Sequence, residues 1–173
     1  MGSEAPIRLL ALDQSSRNSG WAIFIDGKLK DSGLLSTTQD DIGKRLTVIR
    51  NFIIEKVQEW DINTIAFEDI QLQTSVGNNV KTFKVLANVY GVVLETAVEL
   101  NKKVMIIASA TWKSQLKIKG HNRAEQKKSA QYYVLDTYRL KVNQDTADAV
   151  CIGDCACRLI GLNNTDSGFD WSE

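Results

Sequence analysis

Residues 7–13, Ile-Arg-Leu-Leu-Ala-Leu-Asp, form a short apolar run that ends in an acid, and this run decides the fold. A run of this kind is typical of a strand buried in the centre of a sheet. The segment 20–25, Gly-Trp-Ala-Ile-Phe-Ile, follows a polar turn, and Asp26-Gly27 is a strong hairpin signal that leads into Lys28–Leu35. The opening of the chain therefore predicts three antiparallel strands.

Helices and strands alternate over the rest of the chain. Apolar residues at steps of three and four predict an amphipathic helix from Ile42 to Trp60. The other predicted elements are a strand at 63–68, a helix at 80–100, a strand at 103–107 and helices at 123–138 and 146–162, with loops at 73–79 and 117–122. This order predicts a single α/β domain over residues 1–173, with an RNase H-like mixed five-stranded sheet flanked by helices and flexible ends at 1–6 and 164–173.

The predicted helix at 80–100 is apolar on two faces. Phe83, Leu86 and Tyr90 lie on one face, and Val85 and Val89 lie on another. Such a helix has more to pack against than its own sheet. A dimer partner and deep burial within the monomer are both open explanations.

The net charge of zero hides a strongly basic segment. Residues 102–141 carry 10 Lys and Arg against 2 acids, a local charge of +8, whereas the remainder carries 11 basic and 19 acidic residues. A solvated face is the ordinary explanation for any single lysine here. The whole segment, beside a carboxylate cluster, suits a phosphodiester enzyme, because one part can bind the phosphate backbone while the other binds metal.

Cysteines and hydropathy indicate a cytoplasmic protein. No stretch is apolar enough to span a membrane, and no charged-then-apolar leader opens the chain. Cys151, Cys155 and Cys157 are an odd, clustered set, which is not typical of a disulfide framework. The only histidine, His121, is remote from them, so we expect small buried residues on a helix rather than a zinc site.

Two acids stand at the ends of predicted strands. Because side chains alternate along a strand, Asp13 shares a face with Leu9 and Ala11, and Glu68 shares one with Ala66. Both acids are therefore expected at the carboxyl edge of the sheet, where ligand sites lie in open α/β sheets. The alternatives are an Asx turn at Asp13 and an exposed surface acid at Glu68.

Two further acids open the last predicted helix. Helical spacing places Asp148 on the face of Ile152, Cys155 and Leu159, which is the expected buried face. Asp145 lies one turn earlier on the same side, and its alternative role is an N-cap before Thr146-Ala147. A cap does not explain Asp148, which is predicted to point inward.

Four carboxylates brought together repel one another, and burying them is costly unless a positive charge compensates. Asp148 has no basic residue in its helix before Arg158, so a bound cation is the expected compensation. Mg²⁺ prefers oxygen ligands and keeps water positions open for chemistry. Asp13, Glu68, Asp145 and Asp148 are therefore predicted to form a metal site for phosphoryl transfer, in keeping with a nuclease.

Three motifs carry a family resemblance: Asp13 after an apolar strand with Gly20 following, Phe67-Glu68-Asp69, and Asp145-Thr146-Ala147-Asp148-Ala149. In order and spacing they resemble the motifs of the RuvC family of Holliday-junction endonucleases. The resemblance runs from about residue 7 to residue 160, nearly the whole chain.

The resemblance implies that the chain is a crossover junction endodeoxyribonuclease. It also implies a homodimer whose two copies pair partly through the helix at 80–100. It would resolve four-way and other branched DNA by paired nicks that leave 5′-phosphate and 3′-hydroxyl ends. Two Mg²⁺ or Mn²⁺ ions would occupy each site, Asp13 bridging both and Glu68 with one or both of Asp145 and Asp148 completing the ligands. The family places phosphate-contacting lysines at Lys113 and Lys127, and charge alone suggests DNA contacts at Lys117, Lys119, Arg123 and Lys128.

Three positions depart from the family pattern. Gln14-Ser15-Ser16 replaces the usual Pro-Gly after the first acid, and Asp145 replaces a histidine common in the last motif, which gives an all-oxygen site. Ile70, Gln71 and Leu72 occupy the junction-opening position, where the family often has an aromatic or basic wedge. In these differences the chain resembles phage-encoded members more than the bacterial housekeeping type. This resemblance implies an enzyme that acts in the host cytoplasm and is less selective among branched DNAs.

Three alternatives accompany this hypothesis. Sugar kinases and actin-like ATPases also open with an acid-turn-glycine hairpin, but they require a second such hairpin and a Gly-rich adenosine segment. An RNase H-like nuclease acting on RNA would carry a similar basic segment. A junction-binding module without catalysis would not need the four-acid set.

Overall fold

The computed structural model describes residues 5–71 and 79–162. Its elements in chain order are β1 (Arg8–Asp13), β2 (Asn18–Ile25), β3 (Lys28–Ser36), α1 (Ile42–Trp60), β4 (Thr64–Glu68), α2 (Asn79–Glu99), β5 (Lys103–Ile107), α3 (Ser109–Gln115), α4 (Arg123–Tyr138) and α5 (Gln144–Leu159). The predicted elements are confirmed with small shifts at their ends, and α3 is an addition that periodicity does not predict. Residues 1–4, 72–78 and 163–173, which include most of the predicted ends and loop, lie outside the described residues.

The five strands form one mixed sheet in the order β3-β2-β1-β4-β5. β2 is antiparallel to both β1 and β3, whereas β4 is parallel to both β1 and β5. Asp26 (φ 48°) and Gly27 (φ 79°) both adopt positive φ in the β2–β3 turn. A two-residue hairpin loop with a type I′ turn requires this backbone conformation. The predicted hairpin and the predicted mixed α/β sheet are confirmed.

Side-chain alternation gives the sheet two cores. Leu9 and Ala11 of β1 face α5 and the buried Trp112 of α3, whereas Leu10 and Leu12 face α1 and α2. The end of β1 thus lies between two apolar layers. Asp13 continues the Leu9 and Ala11 face, so it points toward α5.

Helix α5 lies close against the sheet because small residues line its inner side. A Cβ at Gly153 would lie 2.3 Å from a ring carbon of Phe24 and 3.0 Å from the Cβ of Ala11. The three cysteines of α5 are buried free thiols, as predicted, and burial raises the pKa of the Cys155 thiol to about 11. They fill space in the core as neutral groups.

The expectation that Leu159 lies on the buried face of the last helix is wrong. Leu159 is 49% exposed and does not share the buried face of Asp148, because it lies at the end of α5 beside the exposed Arg158. In α2, Val89 and Val93 are fully buried, whereas Val80 and Val98 are 61% and 60% exposed, so burial within the monomer covers only part of the helix. None of the helices in the described ranges is long and apolar enough to cross a membrane.

Candidate active site

Asp13 and Glu68 end two neighbouring parallel strands. The register of β1 against β4 ends with Leu12 opposite Phe67, so the two acids leave the same edge of the sheet one residue later. Both alternate onto the face of Ala11 and Ala66, which packs against α5. The structure therefore brings these two predicted residues together.

Helix α5 begins over the same edge because Gly20 leaves room for it. A Cβ at Gly20 would lie 1.8 Å from the carbonyl oxygen of Asp145, a separation that no side chain could tolerate. The Thr146 hydroxyl donates to the carbonyl oxygen of Gly33 at 3.0 Å, which ties the same turn to β3. Since Gly20 pairs with Asp13 across β1 and β2, the first turn of α5 is held beside Asp13.

The N-cap of α5 is Asn143, not Asp145. The Asn143 side chain accepts a hydrogen bond from the backbone N–H of Thr146 at 2.9 Å. The capping alternative for Asp145 is therefore wrong, and its carboxylate is left available to the acid cluster. The sequence Asn-Gln-Asp offers two capping residues, and the local pattern could not choose between them.

The electrostatics show that the four acids influence one another. Burial raises the pKa of Asp13 well above its usual value, and the nearby Asp148, Glu68 and Asp145 carboxylates raise it further. The pKa of Asp148 is raised to about 6, chiefly by burial, with Glu68 and Asp145 acting in the same direction and Lys127 and Lys113 opposing them. The four carboxylates thus form one cluster whose negative charge is only partly compensated.

Three cations of the basic segment reach this cluster. Lys127 on α4 lies 3.6 Å from Asp145 and lowers the pKa of both Asp13 and Asp148. Lys113 on α3 and Arg123 on α4 lower the pKa of Glu68. The predicted partners Lys117, Lys119 and Lys128 are exposed side chains in the same part of the chain.

One carboxylate oxygen has no protein partner. Within the described residues, Asp148 Oδ1 is buried and makes no hydrogen bond. No three His, Cys, Asp or Glu side chains in residues 5–71 and 79–162 stand close enough to hold a metal ion as they are placed. Repulsion between uncompensated carboxylates favours such spacing. The unpartnered oxygen and the all-oxygen donor set fit a hard divalent cation, which would draw the acids together.

Two residues that hold Glu68 were not identified from the sequence. Gln14 Nε2 donates to the Glu68 carbonyl oxygen at 2.6 Å, and the Glu68 N–H donates to Gln14 Oε1 at 3.2 Å. The indole N–H of Trp112 donates to Glu68 Oε2 at 2.6 Å, and burial raises the pKa of this acid. Glu68 is therefore not the exposed surface acid that its position alone would allow. The departure from Pro-Gly at Gln14 was the available signal for the first residue, and no sequence signal identified Trp112.

The loop after Asp13 is closed by serines. Ser15 Oγ accepts hydrogen bonds from the N–H groups of Arg17 and Asn18, and Ser19 Oγ donates to the Ser15 carbonyl oxygen at 2.7 Å. The turn is thus held by hydroxyl groups, and the Asx-turn alternative is not needed to explain it. The Asp13 carboxylate faces the acid cluster instead.

The junction-opening position follows β4 directly. Ile70 is half-buried and its N–H donates to Asp69 Oδ1 at 2.9 Å, while Gln71 is exposed. Leu72 lies outside the described residues. Ile70 and Gln71 therefore stand next to the acid cluster, and their role stays a prediction.

Comparisons with known proteins agree with this architecture. The family model described as crossover junction endodeoxyribonuclease RuvC matches residues 9–156. Thermus thermophilus RuvC in complex with Holliday junction substrate has a TM-score of 0.73 at 17% identity, over 90% of this chain and 96% of that one. A second structure of Thermus thermophilus RuvC has a TM-score of 0.68 at 19% identity, over 90% of this chain and 98% of that one.

The yeast mitochondrial Holliday junction resolvase Ydc2 has a TM-score of 0.60 at 12% identity, over 90% of this chain and 80% of that one. No curated protein sequence matched the chain. At these identities the structures establish the RNase H-like fold, which confirms that prediction. The family match spans most of the sequence, so the chain belongs to the RuvC family of crossover junction endodeoxyribonucleases, which are metal-dependent nucleases.

Proposed function

We propose that this protein resolves four-way DNA junctions by paired nicks that leave 5′-phosphate and 3′-hydroxyl ends. The observation that carries the proposal is the cluster of Asp13, Glu68, Asp145 and Asp148 at one sheet edge, with Asp148 Oδ1 buried and unpartnered in the described part of the chain. Membership of the crossover junction endodeoxyribonuclease family supports a role of this cluster in phosphodiester cleavage.

The four acids would hold two Mg²⁺ ions, with Mn²⁺ as a substitute, and Asp13 would bridge both. It lies centrally, because each of the other three acids raises its pKa. When bound, the ions would activate the attacking water and stabilise the leaving 3′ oxygen. The chain itself would supply only carboxylate ligands, and these lie on three regular elements, β1, β4 and α5. Because these elements hold the ligands in place, less orientational freedom would be lost when the ions bind.

The cations at the cluster would bind the scissile strand. Lys113 and Lys127 are half-buried and interact with the acids, so a phosphate would meet them beside the metal ligands. Arg123 is exposed on the same side, and Lys117, Lys119 and Lys128 would extend the contact along the DNA backbone. Exposed lysines of this kind steer and hold DNA without reading its sequence.

Paired nicks need two sites, and the N-terminal half of α2 offers a dimer surface. Val80 is 61% exposed, and Phe83, Val85 and Leu86 are only half-buried in the monomer. A second copy would cover these apolar side chains. We further propose one catalytic domain over residues 1–173, a phage-encoded member acting in its host cytoplasm, and junction opening by Ile70, Gln71 and Leu72.

A cleavage panel tests the proposal. With Mg²⁺, the protein should nick synthetic four-way junctions faster than three-way, flap or linear DNA, and Asp13→Asn should bind the junction without cutting it. Asp136→Asn removes an exposed acid of α4, 88% accessible, and should cut normally. Equal cutting of linear duplex and junction would contradict structure selectivity. Preferential cutting of RNA substrates would support the RNA-processing alternative, and full cleavage by Asp13→Asn would exclude the ligand assignment.

A further inference from the structure

Trp112 connects the core to the metal-ligand candidate Glu68. Its ring is 2% exposed and packs in the same core as Ala11 and Ala66, below the acid cluster. Its indole N–H donates to Glu68 Oε2 at 2.6 Å. A buried, close-packed ring has little freedom to turn, so this donor is aimed at one point in space.

Gln14 fixes the backbone of the same acid. The paired register of β1 and β4 ends at Leu12 and Phe67, and beyond it the Gln14 amide exchanges two hydrogen bonds with the Glu68 backbone. The side-chain amide thus continues the strand pairing past the end of β1. With its N–H and carbonyl held, Glu68 can move only through its own side-chain torsions.

The hydrogen bond from the Trp112 indole N–H to Glu68 Oε2 restricts the remaining rotation of the Glu68 side chain. A carboxylate can bind a cation through one oxygen or through both. The indole N–H is a donor only, so it takes up one of the two lone pairs of Oε2, whereas Oε1 keeps both. The other oxygen, Oε1, is then the one presented to a cation.

The geometry points to Trp112 as a positioning residue that holds Glu68 as a ligand through Oε1 alone. This inference rests on the proposed metal site. Helix α3 would link metal binding to substrate binding, because the neighbouring Lys113 lies over the Trp112 ring, with Nζ 5.3 Å from its centroid. A phosphate contacted by Lys113 would therefore act on the same short helix that orients the acid.

The test measures Mn²⁺ binding by the DNA-free protein through the paramagnetic resonance signal of free Mn²⁺. Trp112→Phe keeps the ring and removes only the donor, and it should weaken Mn²⁺ binding about tenfold, the effect typical of losing a partner that orients a metal ligand. Junction binding in EDTA should stay unchanged. Trp60→Phe is the matched control, since Trp60 Nε1 is buried without a hydrogen-bond partner in the described residues. The Trp60→Phe variant should bind Mn²⁺ normally.

The outcomes separate this inference from the proposed function. Failure of the wild-type protein to bind Mn²⁺ would refute the metal site and the inference together. Normal Mn²⁺ binding by a folded Trp112→Phe variant would refute the inference and leave the proposed function standing.

A second readout uses the wild-type protein, which has four tryptophans, each with one indole N–H that NMR can detect. The Trp112 resonance should exchange slowly with solvent and shift on Mg²⁺ addition, and Glu68→Gln should displace it. If no indole resonance shifts on Mg²⁺ addition or in Glu68→Gln, the inference is overturned even if Trp112→Phe fails to fold.

Discussion

Alanine at Gly20 should separate the metal ligands without removing any of them. The added Cβ would lie 1.8 Å from the Asp145 carbonyl oxygen and 2.9 Å from the Thr146 nitrogen. Ordinary contact begins near 3.4 Å, so the oxygen would have to move by about 1.6 Å, the difference between 3.4 and 1.8 Å. The obstacle is backbone on both sides, which cannot rotate out of the way.

The displaced turn carries Asp145 and leads to Asp148. A misplacement of about 1 Å in an active site can cost on the order of a hundredfold in rate, so cleavage by Gly20→Ala should fall at least that far. Overpacking costs about 1–3 kcal/mol of unfolding free energy, and a protein of this size loses roughly 2–4 °C in Tm for each kcal/mol. The variant should therefore fold with a Tm lower by about 2–12 °C.

Single-turnover cleavage of a four-way junction, junction binding in EDTA and thermal unfolding together test this reasoning. Gly91→Ala is the matched control, since its Cβ meets nothing within 4 Å. It replaces a glycine inside α2 and should stabilise the protein by about 0.5–1 kcal/mol with cleavage unchanged. Wild-type cleavage and Tm in Gly20→Ala would refute the idea that this close contact sets the site.

Three further predictions follow from the charges. Because the folded-state pKa of Asp148 is raised to about 6 from 3.8, the metal-free protein should lose stability as pH rises from about 4 to about 6. Asp148→Asn should remove that loss, raising Tm in EDTA at pH 7 but not below pH 4, while abolishing cleavage; an unchanged Tm at pH 7 would contradict it. Asp154 is fully buried and accepts hydrogen bonds from Tyr133, Tyr138 and Arg158. Asp154→Asn should therefore lower the unfolding free energy, measured in urea, by about 2 kcal/mol. A smaller loss than in Asp136→Asn, which changes an exposed acid, would contradict this structural role of Asp154. Lys113→Ala should weaken junction binding and reduce the slope of log K against log salt by about 1, and an unchanged slope would argue against a phosphate contact.

The local pattern of the sequence was enough to predict most of the architecture. Alternation along β1 and β4 placed Asp13 and Glu68 on one face, and the hairpin signal at Asp26-Gly27 was sufficient for the β2–β3 turn. Helix α3 was not predicted because seven residues give too short a pattern. The family resemblance had already indicated Lys113, but the burial of Trp112 and the position of the Lys113 ammonium over its ring became visible only in the folded chain.

One alternative was excluded and one expectation was wrong, both for physical reasons that lie outside the local pattern. Asn143 rather than Asp145 caps α5, and both residue types cap well, so the choice depends on where the helix meets β2. Leu159 continues the helical spacing of Asp148 but lies at the end of α5, where the side chain is 49% exposed. Periodicity assigns a face of a helix and does not say how far the sheet beneath it extends.

By itself the sequence determined the order of the strands and of every described helix except α3, and the faces on which the four acids lie. These depend on repeats of two and of 3.6 residues within each element. Only the tertiary structure decided which groups hold those acids. Gln14 and Trp112 bond Glu68 from 54 and 44 residues away, and Lys127 meets Asp145 from another helix. A hydrogen bond requires two atoms within about 3 Å, and that distance is set by how elements remote in sequence pack against one another.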